Sequence, residues 1–240
     1  YVVYAASRSC INRFDGNLRE VQMDVTNIAS IDIALDVILK QSGQLDALIN
    51  NAGLGMAGPL ECTTDAEAKE IFDTNLFGVL NVCRAAIPLL RMSKGKMINV
   101  TSIGGIFALP YRGIYSASKF AVEGISEALS MELANDGISV SIIEPGDFKT
   151  NINANRKGAA AINKDLYPKF EAVLEQINHE VSFAQDPILI AKTVHTIIES
   201  KKPRLRYRVA TATQHLSVWL YRLLPGRWFE KLILKHYNLR

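Results

Sequence analysis

Tyr115 and Lys119 stand four residues apart in Tyr115-Ser116-Ala117-Ser118-Lys119, and apolar side chains at helical spacing follow from Phe120 to Leu129. Residues i and i+4 of a helix share a face, so a phenol and an ammonium can point into one site. A nearby cation favours the phenolate and is expected to lower the tyrosine pKa from about 10 towards neutrality. Such a tyrosine can serve as a general acid or base. The pair alone is a weak signal, because two long amphipathic side chains covering a surface helix carry the same pattern.

Other chemistry-bearing residues surround it in a fixed order. Asp24-Val25-Thr26 closes one strand-like run, and Asn50-Asn51-Ala52-Gly53 closes another. Asn75 lies in Phe72-Asp73-Thr74-Asn75-Leu76-Phe77-Gly78, and Ser102 ends the run Met97 to Thr101. Pro145-Gly146 follows a further apolar run, with Thr150 shortly after. Ser102 precedes Tyr115 by 13 residues, and Asn75 precedes Ser102 by 27. These motifs and spacings resemble the short-chain dehydrogenase/reductase family, from the first residue to about Thr150.

The resemblance implies an oxidoreductase with an Asn75-Ser102-Tyr115-Lys119 tetrad. Tyr115 would exchange a proton with a carbonyl or alcohol while hydride passes to or from a nicotinamide. Lys119 would hold Tyr115 near its phenolate and hydrogen-bond the nicotinamide ribose. Ser102 would bind the substrate oxygen, stabilising charge as it develops; Thr101 is its rival. Asn75, mid-helix between apolar neighbours, would mark a kink whose free carbonyl holds a water, or would be a satisfied buried amide. Asn50, Asn51, Ala52 and Gly53 would line the cofactor, since small residues allow close backbone approach. Asp24 and Val25 would flank adenine, although Asp-Val-Thr also reads as a helix cap. Pro145, Gly146 and Thr150 would shape the carboxamide pocket.

Cofactor choice is legible at the end of the first strand. Relatives that prefer NAD carry an acid there for the ribose 2′-hydroxyl. This chain has Ser7 and then Arg8. A guanidinium binds a 2′-phosphate through charge-assisted hydrogen bonds, so NADP(H) is expected.

Size and composition set the class. Within 240 residues, 48% are hydrophobic and 21% charged, which suits one globular α/β domain. Three cysteines without C-x-x-C or histidine-partnered spacing predict reduced thiols, no metal site and a cytoplasmic protein. No run of eighteen apolar residues occurs.

Strand-like and helix-length segments alternate, predicting βαβ units in a doubly wound parallel sheet. Expected strands are Val2–Ala6, Glu20–Met23, Leu45–Ile49, Lys96–Thr101, Ile138–Ile143 and Leu205–Ala210. Expected helices are Ile28–Gln41, Asp65–Met92, Tyr115–Ala134, Leu166–His179 and Pro187–Ser200, with Thr150–Lys164 a mobile loop. The chain opens on what resembles the family's second strand. The central first strand and its glycine-rich turn are therefore expected to precede Tyr1, as about 30 residues and about 3 kDa beyond 26.5 kDa.

Residues 1–210 read as the catalytic domain and 211–240 as a basic amphipathic extension. Ten Lys/Arg against Glu230 alone give residues 201–240 a net charge of +9, leaving −6 for the rest. Two short helices broken by Pro225-Gly226, holding both tryptophans, fit a lid on the substrate cleft, a subunit contact or a peripheral membrane surface. Each of these implies a small lipophilic carbonyl or alcohol substrate, as in relatives acting on steroids, retinoids or acylated dihydroxyacetone phosphate. Interleaved Trp and Leu argue against nucleic acid. Surplus apolar side chains on Asp65–Met92 and Tyr115–Ala134 predict a homodimer or homotetramer. A catalytically silent cofactor-sensing or scaffolding relative is the alternative, against which the complete tetrad counts.

Overall fold

A computed structural model describes residues 1–150, 156–160 and 162–240. The first strand, β1 (Val3–Ser7), leads to β2 (Phe14–Asp15) and β3 (Leu18–Gln22). β1 and β3 pair in parallel, while β2 and β3 form a hairpin through Gly16-Asn17, with Gly16 at φ 55°. A glycine at the first position of a two-residue loop matches the strand twist, and this hairpin was not among the expected elements. Helix α1 (Ile28–Ser42) follows, capped by the Asn27 side chain on Ser30 N–H and ended by Gly43 at φ 73°.

Next come β4 (Ala47–Asn50) and β5 (Met56–Ala57), then α2 (Asp65–Phe72), which a Thr64–Glu67 capping box starts. A π-helical stretch, Asp73–Gly78, joins α2 to α3 (Val79–Ser93) without a break. Along the chain follow β6 (Lys96–Val100), α4 (Gly113–Glu132), β7 (Ser139–Pro145) and the short β8 (Lys157–Gly158), which pairs with β5. The remaining elements are α5 (Phe170–Ser182), α6 (Ile188–Glu199), β9 (Arg206–Val209), α7 (Ala212–Leu223) and α8 (Gly226–His236). The expected loop Thr150–Lys164 falls partly outside the described residues, and β8 lies within it.

Strands β4, β6, β7 and β9 form a parallel sheet in the order β4-β6-β7-β9. Successive strand side chains point to opposite faces, which layers the molecule. Met97 packs with Ile31, Leu35, Val82, Cys83 and Val122, the buried sides of α1, α3 and α4. Its neighbour Ile98 packs the other way, with Ile143 and with Ile197 of α6. Among the described residues β1 pairs with β3 and β4 with β6, so the strands stand as a three-stranded sheet, β1-β3-β2, and the four-stranded parallel sheet, beside the β5–β8 pair. The gap falls where the resemblance sets its first strand.

The helical stretch Asp65–Ser93 has the length and hydropathy to cross a membrane, although it contains no unbroken apolar run of that length. Its buried residues Ile71, Val79, Val82, Ala86 and Leu90 instead seat it in the core.

Candidate active site

The C-terminal ends of β4, β6 and β7 and the first turns of α4 gather the chemistry-bearing side chains. Two residues beyond β6, Ser102 caps the turn Ile103–Gly105, its Oγ accepting from Gly104 N–H at 3.0 Å. A Cβ on Gly104 would lie 3.4 Å from Ser102 Oγ and 3.5 Å from Tyr115 Cε1. A Cβ on Gly105 would lie 3.1 Å from the Lys119 backbone. Gly105 thus lets the turn press against α4, and the serine hydroxyl meets the tyrosine. Thr101 faces elsewhere, its hydroxyl 2.6 Å from Glu123 Oε1 and 3.1 Å from the Ile143 carbonyl.

The expected lowering of the Tyr115 pKa is overturned. Burial pushes the phenol above its ordinary value, opposed by a hydrogen bond with Ser102 and by the charges of Arg112 and Arg156, while Asp147 adds to the rise. Lys119 is buried and donates to the Val100 carbonyl at 3.0 Å. Burial pushes the ammonium down to about 8, with Glu123 one turn further along α4 acting against the shift. For the phenol, removing solvent outweighs the neighbouring cations Arg112 and Arg156.

Asn75 is wholly buried in the π-helical stretch. Its amide accepts from Leu54 N–H at 2.7 Å and donates to the Leu54 carbonyl at 2.9 Å and to Ser118 Oγ at 3.0 Å. It therefore staples the loop after β4 to α4. A Cβ on Gly53 would come within 3.4 Å of Asn75 Oδ1 and 3.5 Å of Lys119 Nζ, so the three converge.

The expected cofactor residues divide. Asn50 is corrected: its side chain turns into the core, donating to Asn99 Oδ1 at 2.8 Å and to Cys83 Sγ at 3.2 Å. Burial raises the Cys83 thiol to about 12, which leaves it inert. Asn51, Ala52 and Gly53 are exposed at the strand end. Asp24 accepts from Thr26 N–H at 2.9 Å and Thr26 Oγ1 at 2.7 Å, which hold its carboxyl below the usual range, and the Arg8 charge reaches it as well. Val25 packs so closely on Gly78 that a Cβ there would lie 2.6 Å from its Cγ2. Ser7 and Arg8 are exposed at the end of β1, with Ser7 Oγ 3.1 Å from Cys10 Sγ. Pro145 ends β7, Gly146 N–H donates to the Val209 carbonyl at 2.8 Å, and Thr150 is exposed.

A cavity of ≈ 400 Å³ opens beside Ser102. Ile103, Phe107, Leu109 and Phe183 supply apolar wall, while Arg112, Asp147, Glu180, Gln214, His236 and Tyr237 supply polar groups. Arg112, Asp147 and Glu180 were not expected from the sequence, while Gln214, His236 and Tyr237 belong to the extension 211–240, one reading of which was a lid on the cleft. Arg112 Nη2 donates to Tyr237 Oη at 2.6 Å, and Gln214 Nε2 donates to Asp147 Oδ2 at 2.6 Å. Burial raises the Asp147 carboxyl against the pull of Arg112. Only its position directly after Pro145-Gly146 could have drawn attention to Asp147. Residues on α7 and α8 close the cavity, and Val218 and Phe229 pack with Phe107 in the same cluster.

A parallel sheet with small residues at its strand ends, and a serine, tyrosine and buried lysine converging there, define a Rossmann-like oxidoreductase site. Residues 3–160 match the short chain dehydrogenase family, and the chain belongs to it. It is 37% identical over 243 residues to the 3-ketodihydrosphingosine reductase of Bacteroides thetaiotaomicron, spanning 100% of this chain and 90% of that protein. It is 31% identical to the NADPH-dependent 3-dehydrocapnine reductase of Ornithobacterium rhinotracheale, over 93% of this chain and 82% of the other. A short-chain dehydrogenase from Streptomyces avermitilis superposes with a TM-score of 0.72 at 30% identity, covering 90% of this chain and 81% of that one.

Proposed function

We propose that this oxidoreductase uses NADPH to reduce the ketone of a long-chain lipid bearing a polar head, a substrate of the keto-sphingoid kind. The carrying observation is the cavity beside Ser102, apolar along one wall and lined elsewhere by charged and hydrogen-bonding groups. Such a cavity holds a substrate that is lipophilic at one end only. Two relatives, named for 3-ketodihydrosphingosine and 3-dehydrocapnine, support the same reading.

The residues present fit the ends of a dinucleotide. Gly53 leaves open the space beside Lys119 and Asn75 that a Cβ would fill. Arg8 offers its guanidinium at the strand end where a ribose phosphate would sit, and Lys119 would hold the nicotinamide ribose. When bound, the nicotinamide supplies the hydride. Ser102 Oγ holds the carbonyl oxygen, and Tyr115 delivers the proton to it. Burial keeps the phenol protonated at neutral pH, which suits it to act as the acid in a reduction. Incubating the full-length protein with NADPH and 3-keto-sphinganine, and following absorbance and the alcohol product, tests the reading. Absence of product would sink it.

Because Lys119 is charged only below about 8, kcat/KM is expected to fall as pH rises through that value. Glu123 favours the ammonium, so Glu123→Gln should move the fall to lower pH. An unmoved profile would show that another group governs it.

Phe77 and Met92 on the long helix and Phe120 and Met131 on α4 point outward. We assign these faces to a subunit contact of a homodimer or homotetramer, to be read as two or four times the monomer mass in light scattering at micromolar concentration. A monomer there would refute the assignment.

A further inference from the structure

Helices α7 and α8 are apolar on two sides. Inward, Val218 and Phe229 are buried in the cluster with Phe107, and Phe107 and Phe229 stack edge to face with centroids 5.0 Å apart. That packing accounts for one apolar stripe on each helix and leaves the other. On α7, Leu216, Trp219 and Leu223 are 53%, 59% and 59% exposed. Their spacing of three and four residues places them in one outward stripe. On α8, Trp228 and Leu232, 66% and 44% exposed, repeat the pattern. Isolated exposed apolar residues need no explanation, but a stripe holding both tryptophans of the chain does.

The residues between them are basic. Arg222 sits beside Leu223, and Arg227, Lys231 and Lys235 share the exposed side of α8 with Trp228 and Leu232. Glu230, the one acid after Lys201, is already paired with Arg227 at 2.8 Å. Tryptophan has an apolar body and a polar edge suited to the headgroup boundary, and lysine and arginine reach anionic headgroups from the same depth.

We propose that the outward faces of α7 and α8 dock on an anionic phospholipid bilayer. The opposite faces of the same helices line the cavity through Gln214, Ser217 and Ile233, with Tyr237 just past α8, so docking would hold the cavity one helix layer from the membrane surface. Charge complementarity selects this occupant over a second copy of the chain, whose matching surface would carry the same positive charge.

Flotation of the full-length protein with vesicles tests this without reference to catalysis. The protein should float with vesicles of equal parts phosphatidylcholine and phosphatidylglycerol, at least tenfold more than with phosphatidylcholine alone, and high salt should release it. Tryptophan emission should shift to the blue on binding. Trp219→Ala with Trp228→Ala, and separately Lys231→Glu with Lys235→Glu, should each reduce flotation at least tenfold while the thermal midpoint stays unchanged. No flotation with either vesicle would overturn the proposal. So would flotation indifferent to lipid charge, or a dimer that the tryptophan pair of substitutions dissolves.

Discussion

Replacing Tyr115 by phenylalanine is expected to lower turnover by about 10²–10⁴-fold while leaving NADPH binding intact. That loss corresponds to about 3–5 kcal/mol of transition-state stabilisation. The ring packs half-buried against the Gly104–Gly105 turn, and phenylalanine keeps that packing. Only the hydroxyl that meets Ser102 disappears. The phenol of the native chain carries its proton at neutral pH, since burial raises its pKa. The variant therefore loses a loaded donor and not a base awaiting activation. NADPH titration by fluorescence and single-turnover reduction of 3-keto-sphinganine separate binding from chemistry. Normal turnover in the variant would remove Tyr115 from the mechanism, and loss of both properties would point to a packing role.

The second large effect concerns the cofactor. Ser7→Asp combined with Arg8→Ala should shift preference from NADPH towards NADH by roughly 10–100-fold, the worth of one charge-assisted hydrogen-bonded contact plus the repulsion put in its place. Both residues are exposed at the end of β1, so the exchange disturbs no core. Arg8 lies near enough to Asp24 for its charge to lower that carboxyl, the residue expected beside the adenine. The ratio of kcat/KM for the two cofactors, native against variant, is the measurement. A native protein that already prefers NADH would make Arg8 a surface charge.

Much of this protein was legible without coordinates. Periods of two and 3.6 residues placed the strands and the long helices, because a side chain's face depends on its near neighbours in the chain. The i, i+4 spacing of Tyr115 and Lys119, the Pro225-Gly226 break between α7 and α8, and the resemblance carried by Asn75, Ser102, Tyr115 and Lys119 are of this local kind. What depends on desolvation and distant partners was not legible. Spacing alone has Lys119 lowering the Tyr115 pKa, yet burial raises it, and burial is set by everything that packs around the ring. Asn50 and Asn51 are indistinguishable as neighbours, but only the fold turns Asn50 onto Asn99 and Cys83. Arg112 and Tyr237 meet although 125 residues separate them, and Asp147 finds Gln214 across 67. No periodicity links such pairs. Sequence determined the elements and the reacting groups, whereas tertiary structure decided the solvation of those groups and the shape of the cavity beside them, because both arise from contacts between segments remote along the chain.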